Sequence, residues 1–206
     1  MHYFPFDTTG LDAEEVQALD DAYMALKAKF GAAVIADADS HISQFKQFSN
    51  PDSSIAGIVA INHNVNDCRM AFIKTRCSFN DIKTGISADY AKYQVWALIN
   101  VKDDFGRVLI RRENFADKMH ELVHPVELDF KDDKAFSDSF FVVTNDKAKA
   151  ISAMTPDFRK ALTGIKDDNF MIEIVNDLMA IGNNEPADPE QIVYLAELAC
   201  KLASNK

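Results

Sequence analysis

The stretch YQVWALINV, Tyr93–Val101, decides the fold because apolar side chains recur along it at every second position. This period of two is the signature of a strand with one buried face. The buried face of the predicted strand consists of Val95, Ala97, Ile99 and Val101. Trp96 points to the other side, where we expect a large aromatic ring to belong to a core as well.

Further strands precede and follow this one. Ile55–Ile61 is apolar and β-branched, Arg69–Phe79 alternates loosely, and the polar segment Asn62–Asp67 between them predicts the turn of a hairpin. Asp103-Asp104-Phe105-Gly106 predicts a turn that leads into a strand over Val108–Arg111. These segments follow one another without regular βαβ alternation, which favours antiparallel pairing.

The last third of the chain mixes strands and helices. Phe140–Thr144 predicts a strand, and Lys147–Met154 predicts a short helix with Asp146 or Asn145 as its cap. Thr155-Pro156 predicts the start of a second helix, which ends at Gly164. Phe170–Val175 and Leu178–Ile181 flank Asn176-Asp177 and predict a second hairpin. A terminal helix is predicted to begin at Asp188-Pro189.

The N-terminus predicts an amphipathic helix. Asp12 is a candidate N-cap with Glu15 as its reciprocal partner, and Gly31 is a candidate stop. Apolar residues at alternating spacings of three and four form the buried stripe: Val16, Leu19, Tyr23, Leu26 and Phe30. We expect Ala32–Asn50 to extend this helical segment.

Together these elements predict an α+β fold, with a mostly antiparallel sheet flanked by helices and an N-terminal amphipathic helix. Asn50-Pro51-Asp52-Ser53-Ser54 is the best candidate linker. We therefore divide the chain into an N-terminal helical segment, residues 1–50, packed on an α+β domain, residues 51–206. We expect the two parts to unfold as one cooperative unit, because the strands are too few for two cores.

Composition excludes several classes of function. The chain has 22 Lys+Arg against 32 Asp+Glu, and its net charge of -10 repels nucleic acid and anionic lipid. No apolar run approaches the roughly 18 residues of a membrane span, so we expect no membrane insertion. Three cysteines without paired spacing argue against a disulfide scaffold and are typical of a reducing compartment. We expect a soluble cytoplasmic protein and leave a homo-oligomer open.

One segment carries a family resemblance through the series Phe136, Phe140, Val142, Asp146, Ala150, Met154, Thr155 and Pro156. With Ala97–Val108 upstream, this series resembles the bacterial family of domains of unknown function numbered 3137, in which Leu usually stands at the position of Met154. Every position has a structural reason: the phenylalanines and Val142 as core residues of a strand, Asp146 and Thr155 as caps. The resemblance implies a fold and no catalytic residues. Many family members look membrane-anchored through N-terminal apolar spans, whereas this chain has an amphipathic helix there.

The most specific chemical motif is His120-Glu121-Leu122-Val123-His124, which matches the zincin pattern H-E-x-x-H. On a helix, His120 and His124 would lie one turn apart as zinc ligands, and Glu121 would act as general base on the metal-bound water. About 0.005 such matches are expected by chance in a chain of this composition. The motif therefore supports an alternative function, a zinc-dependent metallopeptidase or hydrolase.

Three physical arguments oppose that alternative. Pro125 directly follows the motif and disfavours a helical conformation at His124. Phe115, Met119 and Leu122 would form the apolar side of such a helix, about 100° away from both histidines. No H-x-x-G-x-x-H extension supplies a third ligand. We therefore predict a solvated helix end, with no metal ligands and no catalytic residues there.

The remaining candidates have simpler structural explanations. Asp37, Asp39 and His41 could hold a cation, but a surface turn or cap explains them as well. Cys68 and Cys77 lie on one predicted strand, where we interpret them as partly buried apolar residues and not as ligands or nucleophiles. The sequence thus predicts a non-enzymatic binding or interaction module without a cofactor, whose partner is an unidentified protein or small molecule.

Overall fold

One large antiparallel sheet with helices on one face forms the body of the protein. The computed structural model describes residues 3–35, 42–63, 66–81, 86–112, 126–165 and 169–204. Within these ranges the helices are α1 Ala13–Phe30, α2 Lys134–Ser137, α3 Lys147–Ala153, α4 Pro156–Thr163 and α5 Pro189–Ser204. The strands are β1 Ala33–Ile35, β2 Ser53–His63, β3 Asn66–Asp81, β4 Ile86–Asn100, β5 Arg107–Arg112, β6 Val126–Glu127, β7 Phe140–Thr144, β8 Met171–Val175 and β9 Leu178–Gly182. The predicted α+β class is confirmed.

The strands lie in the order β1-β2-β3-β4-β9-β8-β5-β7-β6, and each neighbouring pair is antiparallel. The two predicted hairpins are present as β2–β3 and β8–β9. Asn176 takes a positive φ of 57° in the second hairpin, as the tight turn requires. The first hairpin is tighter than the sequence predicts, because β2 reaches His63 and β3 begins at Asn66.

Helix α1 begins and ends as the sequence predicts. The Asp12 carboxylate accepts hydrogen bonds from the Glu14 and Glu15 main-chain N–H groups, each at 2.9 Å. The Glu15 carboxylate accepts one from the Asp12 N–H, which completes a capping box. Gly31 closes the helix in the left-handed region, at a φ of 64°.

The main core lies between the sheet and the helices. Alternate residues of β3, β4, β5, β7, β8 and β9 face this layer, and α1 and α5 cover the half formed by β2, β3 and β4. Val95, Ala97 and Ile99 are buried on this face, as the period of two predicts. The opposite face has a smaller core, in which Ile42 and Phe45 cover Trp96.

The prediction that Ala32–Asn50 extends the helical segment is wrong. Ala33–Ile35 form the edge strand β1, which pairs with β2 through Val34 and Val59. Ile42–Gln44 and Lys46–Phe48 are single 3-10 turns that cover the second face of the sheet. Because β1 and β2 share one sheet, hydrogen bonds cross the boundary set at residue 50. A single cooperative unfolding transition stays a prediction.

Most residues of the family-like series have the structural roles that the sequence predicts for them. Phe140 and Val142 are buried on β7, Asp146 caps α3, and Thr155 caps α4 with Pro156 in its first turn. Phe136 differs, because it lies in the short helix α2, where its ring stacks on Phe140 at 4.7 Å between centroids. Membership of the family stays a prediction.

Candidate functional site

A cleft of about 240 Å³ opens between α1 and the segment 183–188 that leads into α5. Its floor is the ring of Tyr93 on β4, and Pro186 and Ala187 form the wall opposite the helix. The complete lining is Leu11, Glu14, Glu15, Ala18, Leu19, Tyr93, Pro186 and Ala187. Most of this surface is apolar, as in binding clefts generally.

Strand β4 holds both walls of the cleft, the α1 side and the segment 183–188, because β4 extends beyond its partner β9. The β4–β9 pairing stops at Trp96 opposite Gly182, so the next main-chain groups of β4 bond to other segments. The Ala187 N–H donates to the Tyr93 carbonyl at 2.7 Å, and the Ala91 N–H donates to the Gly10 carbonyl at 3.0 Å. The two walls are therefore attached to one rigid strand.

Gly182 allows the chain to leave β9 at this point. A Cβ atom at this position would lie 2.7 Å from Cδ2 of Trp96 and 2.9 Å from the Val95 carbonyl oxygen. Such a contact is too close for any side chain. The segment 183–188 can thus turn over the end of the strand, where the Gln94 side-chain amide donates to the Asn184 carbonyl at 2.7 Å.

The floor of the cleft is held in one protonation state. The Tyr93 hydroxyl donates to the Asp7 carbonyl at 2.6 Å, and burial raises the pKa of Tyr93, so the phenol is neutral at physiological pH. The Lys74 ammonium donates to the Asp7 carboxylate at 2.7 Å and lowers the pKa of Asp7. Both groups therefore keep one protonation state near neutral pH.

The charged lining of the cleft is acidic. Glu14 is exposed in the first turn of α1, and Glu15 is half-buried beside it, with its carboxylate in the capping box. Both positions also suit the helix macrodipole, which favours acids at a helix N-terminus. The cleft therefore presents an apolar interior beside one exposed and one partly shielded carboxylate.

A smaller depression of about 50 Å³ lies on the other side of the same segment. Val95, Phe170 and Ile181 contribute to its apolar surface. Asp188 on its rim caps α5, with its carboxylate accepting from the Gln191 N–H at 3.0 Å. The volume of this depression is far below the roughly 300–1,000 Å³ of sites for drug-sized molecules.

The sequence-predicted site residues lie outside the described part of the chain. This holds for His120, Glu121 and His124 of the zincin-like motif. It also holds for the candidate cation cluster Asp37, Asp39 and His41. Among the residues that the structure does describe, no group of three or more His, Cys, Asp or Glu is arranged to hold a metal ion. The predictions for both motifs remain untested.

The cysteines have different surroundings. Cys68 is buried on β3 in the main core, against which Cys200 on α5 also packs. Cys77 is half-buried towards the other end of β3, where it lies opposite Tyr90 on β4. Cys68 and Cys77 thus share one strand, as predicted, but only Cys68 belongs to the main core.

No local sequence pattern identifies the cleft. Its floor residue, Tyr93, belongs to the strand with the clearest alternation, but the decisive contact is a main-chain hydrogen bond from Ala187. The only sequence signal is Pro186-Ala187-Asp188-Pro189, a segment with two prolines that cannot continue a strand or a helix.

Comparison with known proteins supports the fold alone. No family model matches the sequence, and no curated protein matches it. The structure is similar to the crystal structure of the mycobacterial trehalose monomycolate transport factor A, TtfA. The TM-score is 0.54 at 10% sequence identity, over 88% of this chain and 92% of that one. The two proteins therefore share an architecture, an antiparallel sheet with helices on one face.

Within the described residues, none of the helices has the length and apolar character needed to cross a membrane.

Proposed function

We propose that this protein is a non-enzymatic binding module, and that its ligand places an apolar group in the cleft and a positive charge at the rim. The observation that carries the proposal is the combination of an apolar lining, which includes Tyr93, Ala18 and Leu19, with an acidic rim formed by Glu14 and Glu15. An apolar group gains from leaving water in the cleft. A cation beside it is attracted by the carboxylates.

The size of the cleft limits what it accepts. About 240 Å³ is below the roughly 300–1,000 Å³ of sites for drug-sized molecules. The cleft accommodates one bulky side chain or a short alkyl chain. The ligand class is thus an alkyl or aryl group next to an ammonium or guanidinium, as in a basic peptide segment or a small amphipathic amine.

Octylammonium and octanoate form a matched pair of probes, because they have the same apolar chain and opposite charge. In a calorimetric titration of the full chain, we expect octylammonium to bind with a dissociation constant on the order of 1 mM. We expect octanoate to bind up to about fivefold more weakly, since exposed charge pairs are worth up to about 1 kcal/mol. Added salt should reduce the difference. Equal affinity for both probes would contradict the role of the acidic rim.

Two variants on α1 test whether the binding occurs in the cleft. Ala18→Phe places a ring into the cleft and should abolish detectable octylammonium binding. Ala28→Phe is the matched control, because Ala28 is exposed on the same helix away from the cleft. Glu14→Gln removes one exposed carboxylate and should lessen the preference for octylammonium over octanoate. Unchanged binding in Ala18→Phe would show that the probe binds elsewhere.

The alternative function, a zinc-dependent hydrolase, rests on the sequence of His120, Glu121 and His124. If Pro125 ends the helix at His124, protein purified without an affinity tag should contain well below one equivalent of zinc after dialysis. His120→Ala and His124→Ala should each change the free energy of unfolding by no more than about 0.5 kcal/mol. Elemental analysis and denaturant unfolding measure both quantities.

A zincin site would give the opposite results. One zinc would survive dialysis, either histidine variant would lose it, and Glu121→Ala would lose peptidase activity while retaining the metal. Those three results together would replace the binding module with a hydrolase. Weak binding of added zinc by two nearby histidines would not meet this criterion, because the zinc would be removed by dialysis.

A further inference from the structure

The N-terminal segment, residues 3–9, belongs to no helix or strand, yet its first residues are fastened to α1. Asp20 in α1 is buried, and its carboxylate accepts hydrogen bonds from the Tyr3 and Phe4 main-chain N–H groups at 2.9 and 2.5 Å. A carboxylate is costly to bury unless such bonds compensate it. The main chain at Phe4 therefore has a fixed position beside α1.

The other end of the segment is fastened to the floor of the cleft. The Asp7 carbonyl accepts from the Tyr93 hydroxyl at 2.6 Å, and the Asp7 carboxylate accepts from the Lys74 ammonium at 2.7 Å. Tyr93 lies on β4 and Lys74 opposite it on β3. The segment is thus held at both ends by neighbouring elements of the fold.

Between these two anchors, the ring of Phe4 packs on the ring that forms the floor. The centroid of the Phe4 ring is 5.4 Å from that of Tyr93, edge to face at 89°, and 5.3 Å from that of Phe72. Phe4 is 7% exposed and does not itself line the cleft. Tyr93 is therefore in contact with the cleft and with Phe4 at once.

We propose that the N-terminal segment sets the depth of the cleft, and that Phe4 is the residue that limits the length of the alkyl group. The inference rests on the proposed function, because it concerns the ligand of the same cleft. The Phe4 ring fills the space beside Tyr93, and Asp20 prevents the main chain of Phe4 from withdrawing. The floor thus cannot yield to a longer chain, and the ligand class is restricted to short alkyl or single-ring groups.

Phe6 in the same segment provides a matched control. Its ring packs on Phe4 at 5.2 Å and on Phe72 at 5.5 Å between centroids. It lies over Gly57 of β2, where any side chain would collide with the ring. Because β3 separates β2 from β4 in the sheet, Phe6→Ala removes a ring from the same segment without opening space beside Tyr93.

The first test is a calorimetric titration of the full chain with octylammonium and decylammonium, which differ by two methylene groups. In the wild type, we expect the two affinities to agree within about threefold, because the longer chain reaches no further apolar surface. In Phe4→Ala, decylammonium should bind about tenfold more tightly than octylammonium, since both methylene groups enter the vacated space. Phe6→Ala should keep the wild-type ratio. Phe4→Leu should give a smaller gain in the same direction, and it replaces Phe4→Ala if that variant fails to fold.

Benzene separates a failure of this inference from a failure of the proposed function, because an uncharged probe does not need the acidic rim. Apolar cavities left by a missing side chain bind benzene. In an amide NMR titration, benzene should bind to Phe4→Ala about tenfold or more tightly than to the wild type, with the largest shifts around Tyr93. In Phe6→Ala, Tyr93 should respond as in the wild type.

The outcomes distinguish the two proposals. If octylammonium does not bind but benzene behaves as expected, the proposed function is wrong and the limit set by Phe4 stands. If octylammonium binds and Phe4→Ala gives decylammonium no advantage, the proposed function stands and the limit set by Phe4 is overturned. An equal gain for decylammonium in Phe4→Ala and Phe6→Ala would also overturn it.

Discussion

Phe140→Ala should lower the free energy of unfolding by about 3–5 kcal/mol, the usual cost of removing a fully buried ring. Phe140 is 2% exposed at the centre of an aromatic cluster. Its ring stacks on Phe136 at 4.7 Å, lies 6.0 Å from Phe170, and is covered by the Arg112 guanidinium at 4.5 Å. The cavity left by alanine would remove contacts to all three neighbours.

Phe141→Ala is the control, because Phe141 is the next residue on β7 and faces the opposite side of the sheet. It is half-buried and its ring contacts Arg111, so we expect a loss of only about 1 kcal/mol. Denaturant unfolding measures both variants. A loss below about 1 kcal/mol for Phe140→Ala, or equal losses for the two variants, would mean that the aromatic cluster does not contribute as described.

Arg107→Met should lower the free energy of unfolding by about 2–4 kcal/mol, because it leaves a buried carboxylate without its cation. Glu173 is 3% exposed, and its Oε1 accepts from Nε and Nη2 of Arg107 at 3.0 and 2.8 Å. The Lys46 N–H donates to Oε2 at 3.0 Å, and Arg107 also donates to the Gln44 carbonyl. The pair thus anchors the turns that cover the second face of the sheet.

The double variant Arg107→Met with Glu173→Met separates the charge from the packing. Removing both partners leaves no buried charge, so the double variant should be more stable than Arg107→Met alone. Denaturant unfolding of the two single variants and the double variant completes the cycle. If the stability losses of the two single variants simply add up in the double variant, the two side chains contribute to stability independently of each other.

The sequence predicts elements whose signals are local. Three such signals are confirmed, and each is contained in a short stretch of sequence: the capping box of Asp12 and Glu15, the stop at Gly31, and the alternation of Val95, Ala97 and Ile99. Strand β1 could not be predicted in this way. Ala33–Ile35 is too short for a period, and it is a strand because β2 offers a free edge for pairing.

The candidate site depends on contacts between distant parts of the chain. The cleft forms because the Ala187 N–H bonds to the Tyr93 carbonyl, and a main-chain group carries no sequence signal. Likewise, Cys200 joins the same core as Cys68 because α5 packs across β3, which no spacing of cysteines reveals. Local patterns thus indicate the strands and helices, whereas the sites arise from how these elements pack.

The measurement that tests the proposed function most directly is a two-dimensional amide NMR titration of the full chain with octylammonium and, in parallel, with octanoate. The account predicts concentration-dependent shifts at Ala18, Tyr93 and Ala187 with octylammonium, weaker shifts at the same residues with octanoate, and none of these shifts in Ala18→Phe. Shifts located away from the cleft, or equal responses to the two probes, would contradict a cation-selective binding site between α1 and the segment 183–188.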